Sequence, residues 1–388
     1  MNIGRQNIGP LDIEPALTAL AAALHGEGPA VELSVNPDGE LVVGHTETPG
    51  CDDAVAVVRT SGSTGTPKAT VLTVEALAAS SMGTALALQG EGQWLLALPV
   101  QFVAGVQVLV RSLFAGTRPW VMDMSGGFTP EAFTAGALEL TDPIRFTSLV
   151  PTQLQRLLAS PSPDTLAVLR RFDGILLGGA PASAGLLAAA REAGLKVTTT
   201  YGSAETCGGC VYDGVPLTGV EVRIAEDGRI LLGGDTVAAG YLDSPENTDT
   251  FYEEDGVRWY RTNDLGALDA DGRLTVLGRA DDVIITGGVK VSAAHVQEEL
   301  EKSNGVMAAF VAGVPSAEWG QAVAAYVALA GASPAGDHAV VLEQEWHARL
   351  GLLAPKTVLA AGELLMLPNG KPDRLAMIGR LNALHQGK

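Results

Sequence analysis

The sequence predicts an α/β protein whose large N-terminal region holds mostly parallel, helix-covered sheets. A small antiparallel, barrel-like part and a smaller C-terminal α+β domain follow. Three observations carry this. Between residues 52 and 200, short apolar runs alternate with longer helical ones, the pattern of a parallel sheet with crossover helices. After Thr206, two segments place Asp-Gly between alternating apolar runs, which signals hairpins. Beyond residues 278–282 ("GRADD"), helix and strand alternate again over a length suited to one compact domain.

Taken in order, "AVAVVRT" (54–60) reads as a buried strand and "TVEALAASSMGTALAL" (73–88) as a helix with Thr73 as its N-cap. "WLLALPV" (94–100) is a strand, and "VAGVQVLVRSLFAG" (103–116) a helix closed by Gly116. "RFTSLV" (145–150) is a strand, and "PTQLQRLLAS" (151–160) starts with a proline that a first helical turn tolerates. "GILLGG" (174–179) is a strand entering a glycine turn, before the helix "SAGLLAAAREAG" (183–194). The two hairpins are "VEVRIAEDGRILLGG" (220–234) and "GALDADGRLTVLG" (266–278). Next come the helix "SAAHVQEELEKS" (292–303), the strands "MAAFVAGV" (307–314) and "AVAAYVALA" (322–330), and a loop near 331–338. The helix "AVVLEQEWHARLG" (339–351) and a closing helix after "PNGKPDR" (368–374) complete the chain. The boundary between the large and small domains is placed at 280/281.

A chain of 388 residues with 47% hydrophobic content can bury cores for two or more domains. Its formal charge of −19 argues against nucleic acid or an anionic membrane surface as partner. Three cysteines give no disulfide framework and suit a reducing compartment. No apolar run follows a basic start, so no secretory signal is expected, and "WLLALPVQFVAGVQVLV" (94–110) is too short and too interrupted to span a membrane. The expectation is a cytoplasmic protein acting on small molecules, with a homo-oligomer left open.

"TSGSTGTPK" (60–68) carries the first chemical signal. Walker A spacing is absent, because Gly62 and Gly65 are too close and Pro67 precedes the lysine. Glycines nevertheless let backbone N–H groups converge on an anion, hydroxyls add donors, and Lys68 adds a mobile positive charge. The alternative is an ordinary polar turn. That alternative weakens because five further segments follow in a fixed order: "YGSAET" (201–206), "GRILLGGDTVAAGYL" (228–242), "WYRTNDLG" (259–266), "GRADDVIITGGVKVSAAHVQEELE" (278–301) and "LPNGKPDR" (367–374).

Together these six segments resemble the adenylate-forming superfamily of acyl-CoA synthetases, peptide-synthetase adenylation domains and luciferases. The resemblance implies an enzyme with ATP, Mg²⁺ and CoA as cofactor and co-substrates. It implies that Thr60, Ser61, Gly62, Ser63, Thr64, Gly65 and Lys68 hold the phosphates, and that Gly179, Ala180, Tyr201 and Gly202 bind adenine. By the same resemblance Asp264 accepts both ribose hydroxyls and Arg279 contacts ribose or phosphate. Glu205 holds Mg²⁺, as a hard cation requires carboxylate oxygen, and Lys371 bridges the carboxylate and α-phosphate oxygens. Asp281 is the hinge of a mobile small domain, and Gly287 and Gly288 approach the acyl site in the thiol step. Against these roles stand plainer ones: a solvated Glu205, a turn Asp264, a core Tyr201 and an exposed Lys371.

The acid is suggested by "ETCGGCVYDG" (205–214), which resembles the o-succinylbenzoate–CoA ligases of menaquinone biosynthesis, the short actinobacterial type above all. This implies an aromatic dicarboxylic acid bound near Phe102, Val106, Ser203 and Gly208. An aryl- or fatty-acyl-CoA ligase, a carrier-loading enzyme, and a nucleotide-binding protein without ligase activity remain alternatives. The Cys207-x2-Cys210 pair could also be read as a metal or redox site, but no second pair and no nearby histidine completes zinc ligation. Three positions depart from the family pattern: Gln101-Phe102 where a histidine element is common, Ala204 for a hydroxyl, and Asn263 for glycine.

Overall fold

The computed structural model describes residues 11–61, 67–242, 247–329, 337–367 and 372–387. The chain forms two compact units: one from residues 1–223, 231–262 and 270–274, the other from 224–230, 263–269 and 275–388.

The first unit contains the predicted parallel sheet. Strands Trp120–Val121, Gln93–Leu96, Arg145–Leu149, Gly174–Leu177 and Val197–Ser203 lie side by side in that order, each parallel to the next. The strand Gly174–Leu177 is wholly apolar and buried, as a strand covered by helices on both faces must be, whereas Val197–Ser203 carries three threonines and is half-buried throughout. Beyond Val197–Ser203 the sheet turns antiparallel, through Gly208–Tyr212 and then Val215–Pro216. The helices Val103–Phe114, Pro151–Ala159, with proline at its first turn, and Ala184–Glu192, capped by Ser183, follow their strands as expected.

A second, five-stranded sheet in this unit is not in the sequence reading. The strand Ala54–Ser61 belongs to it, pairing antiparallel with Pro67–Thr73 and parallel with Ala30–Val35, which itself pairs with Leu41–Thr46. The two-residue strand Gly240–Tyr241 closes the other edge against Pro67–Thr73, so the chain returns to this sheet long after leaving it. Thr73 ends that strand and caps the helix Val74–Ala87, accepting from the Ala76 amide at 3.2 Å. This is the cap the sequence predicts, and it supplies one of the first-turn donors with a partner.

Both predicted Asp-Gly hairpins form, as Val220–Ile224 with Arg229–Gly234 and as Val257–Leu268 with Leu274–Arg279, in a sheet completed by Phe251–Glu254.

The second unit is built on the long hairpin Val306–Ser316 and Gly320–Leu329. Along the remaining edge of Gly320–Leu329, Val283–Thr286 pairs antiparallel at Gly320 and Thr357–Ala361 pairs parallel over residues 324–328, while Val289–Ser292 pairs with Val283–Thr286. Its core packs Val296, Leu300 and Trp346, from helices Ala293–Glu301 and Asp337–Leu350, onto Val311, Val323 and Val327. Met377 and Leu381, from helix Arg374–Gln386, cover the opposite face. The loop predicted near 331–338 lies outside the described residues up to 336, and the chain is helical from Asp337.

Candidate active site

In the hairpin that carries the phosphate-loop segment, Thr60 pairs with Lys68 and Ser61 with Pro67. Gly62, Ser63, Thr64 and Gly65 lie outside the described residues. Its antiparallel register sets Lys68 at the base of the loop, and the next strand over brings Tyr241 alongside. The Lys68 ammonium stands 4.8 Å above the centre of the Tyr241 ring. A cation in this position is attracted by the ring's negative face.

Tyr241 links that lysine to the predicted metal carboxylate. Its hydroxyl donates to Glu205 Oε1 at 2.7 Å, across 36 residues of sequence. Glu205 is 7% exposed, and among the described residues no other acidic side chain is so buried. It sits in a one-turn helix, Ala204–Thr206, directly after the strand Val197–Ser203. In an open α/β sheet this is where ligands gather, outside the carboxyl ends of the strands. The adjacent strand Gly174–Leu177 ends beside it and leads into Gly179 and Ala180.

The corner holding Glu205 is shaped by close main-chain approach. Gly202 has φ +156°, and a Cβ there would lie 2.1 Å from the Gly208 carbonyl oxygen. The Thr206 hydroxyl donates to that same oxygen at 2.8 Å and accepts from the Ser203 amide at 3.0 Å. Cys207 closes the turn in the left-handed region at φ +50°, an uncommon conformation for a residue with a side chain. We expect Gly202→Ala to destabilise the protein by about 3 kcal/mol or more, since the carbonyl cannot retreat without breaking the corner. A fall in Tm, with helix content retained at low temperature, checks this.

Thr206 is engaged on both sides, so its hydroxyl is committed to the corner. The Ser203 hydroxyl is buried and makes no hydrogen bond. An orphaned donor beside Glu205 fits an incoming polar ligand, and it occupies the neighbourhood where Ala204 lacks a hydroxyl.

Of the predicted acid-pocket residues, Phe102 precedes helix Val103–Phe114, Val106 is buried in its first turns, and Gly208 starts the antiparallel strand. Gln107, on that helix, donates from Nε2 to the Cys207 carbonyl at 2.6 Å, and Ser80 Oγ donates to the same oxygen at 3.1 Å. The helix is thus tied to the segment 207–210. Both thiols there are fully buried. Burial pushes the Cys207 thiol far up, and pushes Cys210 up to about 12, so both are neutral packing groups at physiological pH.

The second unit carries its own acidic and basic set. Arg279 grips Asp281 with two hydrogen bonds, at 2.8 and 2.9 Å, and stands 3.6 Å from Asp264. The hydrogen bond to Asp281 is the largest cause that raises the guanidinium above its ordinary value. Burial acts to raise the Asp281 carboxyl, but the Arg279 bonds and charge outweigh it and leave the carboxyl below its ordinary value. Asp282 is paired with Arg374, from the terminal motif. Lys371, in the same motif, lies outside the described residues.

Gly287 and Gly288 form the whole connection between Val283–Thr286 and Val289–Ser292, with φ values of +55° and +82°. A two-residue turn with both centres in the left-handed region matches the twist of the strands. Trp319 backs the turn: its carbonyl accepts from the Gly287 amide at 3.0 Å.

A single buried carboxylate suits Mg²⁺, which takes one or two protein oxygens and completes its shell from phosphate and water. Glu205, with one oxygen steadied by the Tyr241 hydroxyl, fits that donor set. Among the described residues no cluster of three metal-ligating side chains exists, and this chemistry needs none.

Sequence reasoning named Glu205 and Lys68 but not the Tyr241 phenol between them. The signal was present, since Gly240-Tyr241 ends one of the quoted segments. Its pairing with Glu205 needs the third dimension.

Comparison with known proteins identifies the family. Residues 18–242 match the family model described as AMP-binding enzyme. The chain is 39% identical over 368 residues to a probable 2-succinylbenzoate–CoA ligase of Mycobacterium tuberculosis, covering 94% of each chain. It is 32% identical over 302 residues to the 2-succinylbenzoate–CoA ligase of Enterococcus faecalis, covering 71% of this chain and 60% of that one. Among solved structures it is similar to the o-succinylbenzoate CoA synthetase MenE of Bacillus subtilis in complex with the acyl-adenylate OSB-AMP. There the TM-score is 0.70 at 27% identity, covering 86% of this chain and 70% of that one. An ATP-bound RpMatB-BxBclM chimera gives a TM-score of 0.76 at 26% identity, covering 91% and 75%. The family match over more than half of the chain, joined to the lysine, phenol and carboxylate at the strand ends, places this protein among the AMP-binding enzymes.

Proposed function

We propose that the chain is an ATP-dependent acid–thiol ligase that converts o-succinylbenzoate and CoA to o-succinylbenzoyl-CoA, AMP and pyrophosphate. The likeness to the mycobacterial relative, which runs over nearly the whole length of both chains, carries the choice of acid. The Lys68–Tyr241–Glu205 arrangement supports the class of chemistry.

A carboxylate is a poor electrophile, so the reaction divides in two. First the succinyl carboxylate oxygen attacks the α-phosphorus of ATP, a new P–O bond forms, and the bond to pyrophosphate breaks. Then the CoA sulfur attacks the activated carbonyl, the C–O bond to AMP breaks, and the thiol proton passes to solvent. The first step is an in-line displacement in which positioning and charge stabilisation do most of the work. Lys68 and the amides and hydroxyls of residues 60–65 hold the phosphates. Tyr201, Gly202, Gly179 and Ala180 take the adenine. Asp264 and Arg279 take the ribose. Glu205 would hold Mg²⁺, which would supply positive charge to offset that of the phosphates. Lys371 steadies the charge that grows between the carboxylate and the α-phosphate.

Phe102, Val106, Ser203 and Gly208 line the acid, with the Ser203 hydroxyl as a free donor. The domain boundary falls at 280/281, with Asp281 as hinge, and Gly287 and Gly288 serve the thiol step. Among the described residues no helix is long and apolar enough to cross a membrane, and a cytoplasmic location is part of the same proposal.

The test supplies ATP, Mg²⁺, CoA and a panel of acids. We expect AMP and pyrophosphate in equal amounts, with thioester formed from o-succinylbenzoate in preference to benzoate and long-chain acids. Thioester from the latter acids alone would move the enzyme to the aryl- or fatty-acyl-CoA ligases. ADP as product would remove the adenylate.

A further inference from the structure

One buried cation in the first unit is unused by the chemistry above. Arg111 lies on the last turns of helix Val103–Phe114 and is only 7% exposed. Its Nε is buried without a hydrogen-bond partner, and among the described residues it has no ion-pair partner. Burial holds the guanidinium below its ordinary value, and the charge interaction and hydrogen bond that it makes with Tyr212 only partly offset this. Its main remaining contact is the face of Trp94, 5.3 Å from the ring centre. An uncompensated buried charge is costly, and native proteins keep few of them.

Arg111 lines a recess of about 20 Å³ between helices Val74–Ala87 and Val103–Phe114. That is room for one water-sized group. A second orphan, the Ser81 hydroxyl, lines the same recess and is likewise buried without a partner. Two unsatisfied donors therefore share one small space, which suits a single oxygen of an anion.

The recess adjoins an open surface groove of about 620 Å³. Met82, Leu86 and Phe114 form its apolar wall and are exposed by 64%, 59% and 44%. Glu91 borders both spaces. Its carboxylate, with the overall charge of −19, disfavours a second negative charge on the occupant.

We propose that this cleft is a ligand site separate from the nucleotide and acid sites, and that it takes a monocarboxylate with an apolar body. One carboxylate oxygen enters the recess between Arg111 and Ser81, and the rest of the group and the body lie in the groove along Met82, Leu86 and Phe114. Nucleotides, CoA and dicarboxylates are excluded by their charge. Filling the cleft pairs the guanidinium and covers the exposed apolar side chains in one event.

Equilibrium dialysis of the full chain with radiolabelled decanoate tests this. Saturable binding is expected, unaffected by excess o-succinylbenzoate in the absence of ATP. Decanol, which lacks the charge, binds about tenfold or more weakly, as does decanoate to the Arg111→Met variant. Leu86→Glu changes an exposed groove residue, so it keeps the fold and leaves the test standing if Arg111→Met does not fold. It too lowers decanoate affinity by about tenfold or more, through like-charge repulsion. No saturable binding, equal binding of decanol, displacement by o-succinylbenzoate, or undiminished binding to Leu86→Glu would each overturn the assignment.

Discussion

Glu205→Gln lowers the rate of pyrophosphate release by about two to three orders of magnitude, at unchanged fold. The amide keeps an oxygen to accept the Tyr241 hydroxyl, now at 2.7 Å from Oε1, so the corner and the Lys68–Tyr241 contact lose nothing structural. What disappears is the negative charge. A neutral amide is a far poorer magnesium ligand than a carboxylate, so the variant also needs more Mg²⁺ to reach its reduced maximum. Titrating Mg²⁺ at saturating ATP and acid separates the two effects. An unchanged Mg²⁺ requirement and rate would strip Glu205 of its assigned role. Tyr241→Phe keeps the carboxylate charged and removes only one hydrogen bond, so its loss is smaller than that of Glu205→Gln.

Lys371→Ala removes the cation proposed to sit between the reacting carboxylate and the α-phosphate. Loss of one preorganised donor at a developing charge costs about 2.7–4 kcal/mol, or two to three orders of magnitude in rate. ATP binding changes little, because the phosphate loop, the adenine residues and Asp264 remain. The reaction has two halves, and the lysine is assigned only to the first. Supplying the variant with preformed o-succinylbenzoyl-AMP and CoA therefore restores thioester formation to near the wild-type rate. Adenylate formation at the wild-type rate would remove the assignment, as would a thioester step impaired as deeply as the adenylation.

These residues differ in how far the linear chain reveals them. Glu205 and Lys68 are legible because each sits in a segment whose residue types already state a chemistry: glycines and hydroxyls beside a lysine, and a carboxylate after a strand. The parallel strands are legible because runs such as residues 174–179 are apolar and bounded by glycine. The strand Pro67–Thr73 is not. Once the loop is ended at Lys68 and the helix begun at Thr73, too few residues remain between them to display any period. Thr357–Ala361 is likewise hidden, since its parallel pairing with Gly320–Leu329 is a contact between distant segments. The hairpin 283–292 carries a signal, β-branched runs on either side of Gly-Gly, but the same residues form part of the motif at 278–301, which masks their backbone pattern.

The burial of Arg111 was illegible for a different reason. A lone arginine near the end of an apolar helix belongs on the surface by composition alone. Only the packing of Trp94 and Tyr212 around it shows otherwise.

The hairpin closed by Gly287 and Gly288 is locked in length. Its register sets Ile284 opposite Val291, and both are 2% exposed. Adding one residue at the tip would turn every later side chain of the second strand to the opposite face, carrying Val291 into solvent and its charged neighbour Lys290 inward. A single added residue is tolerated only if a bulge in the loop absorbs it, and a designer who wants a longer reach there otherwise adds residues two at a time.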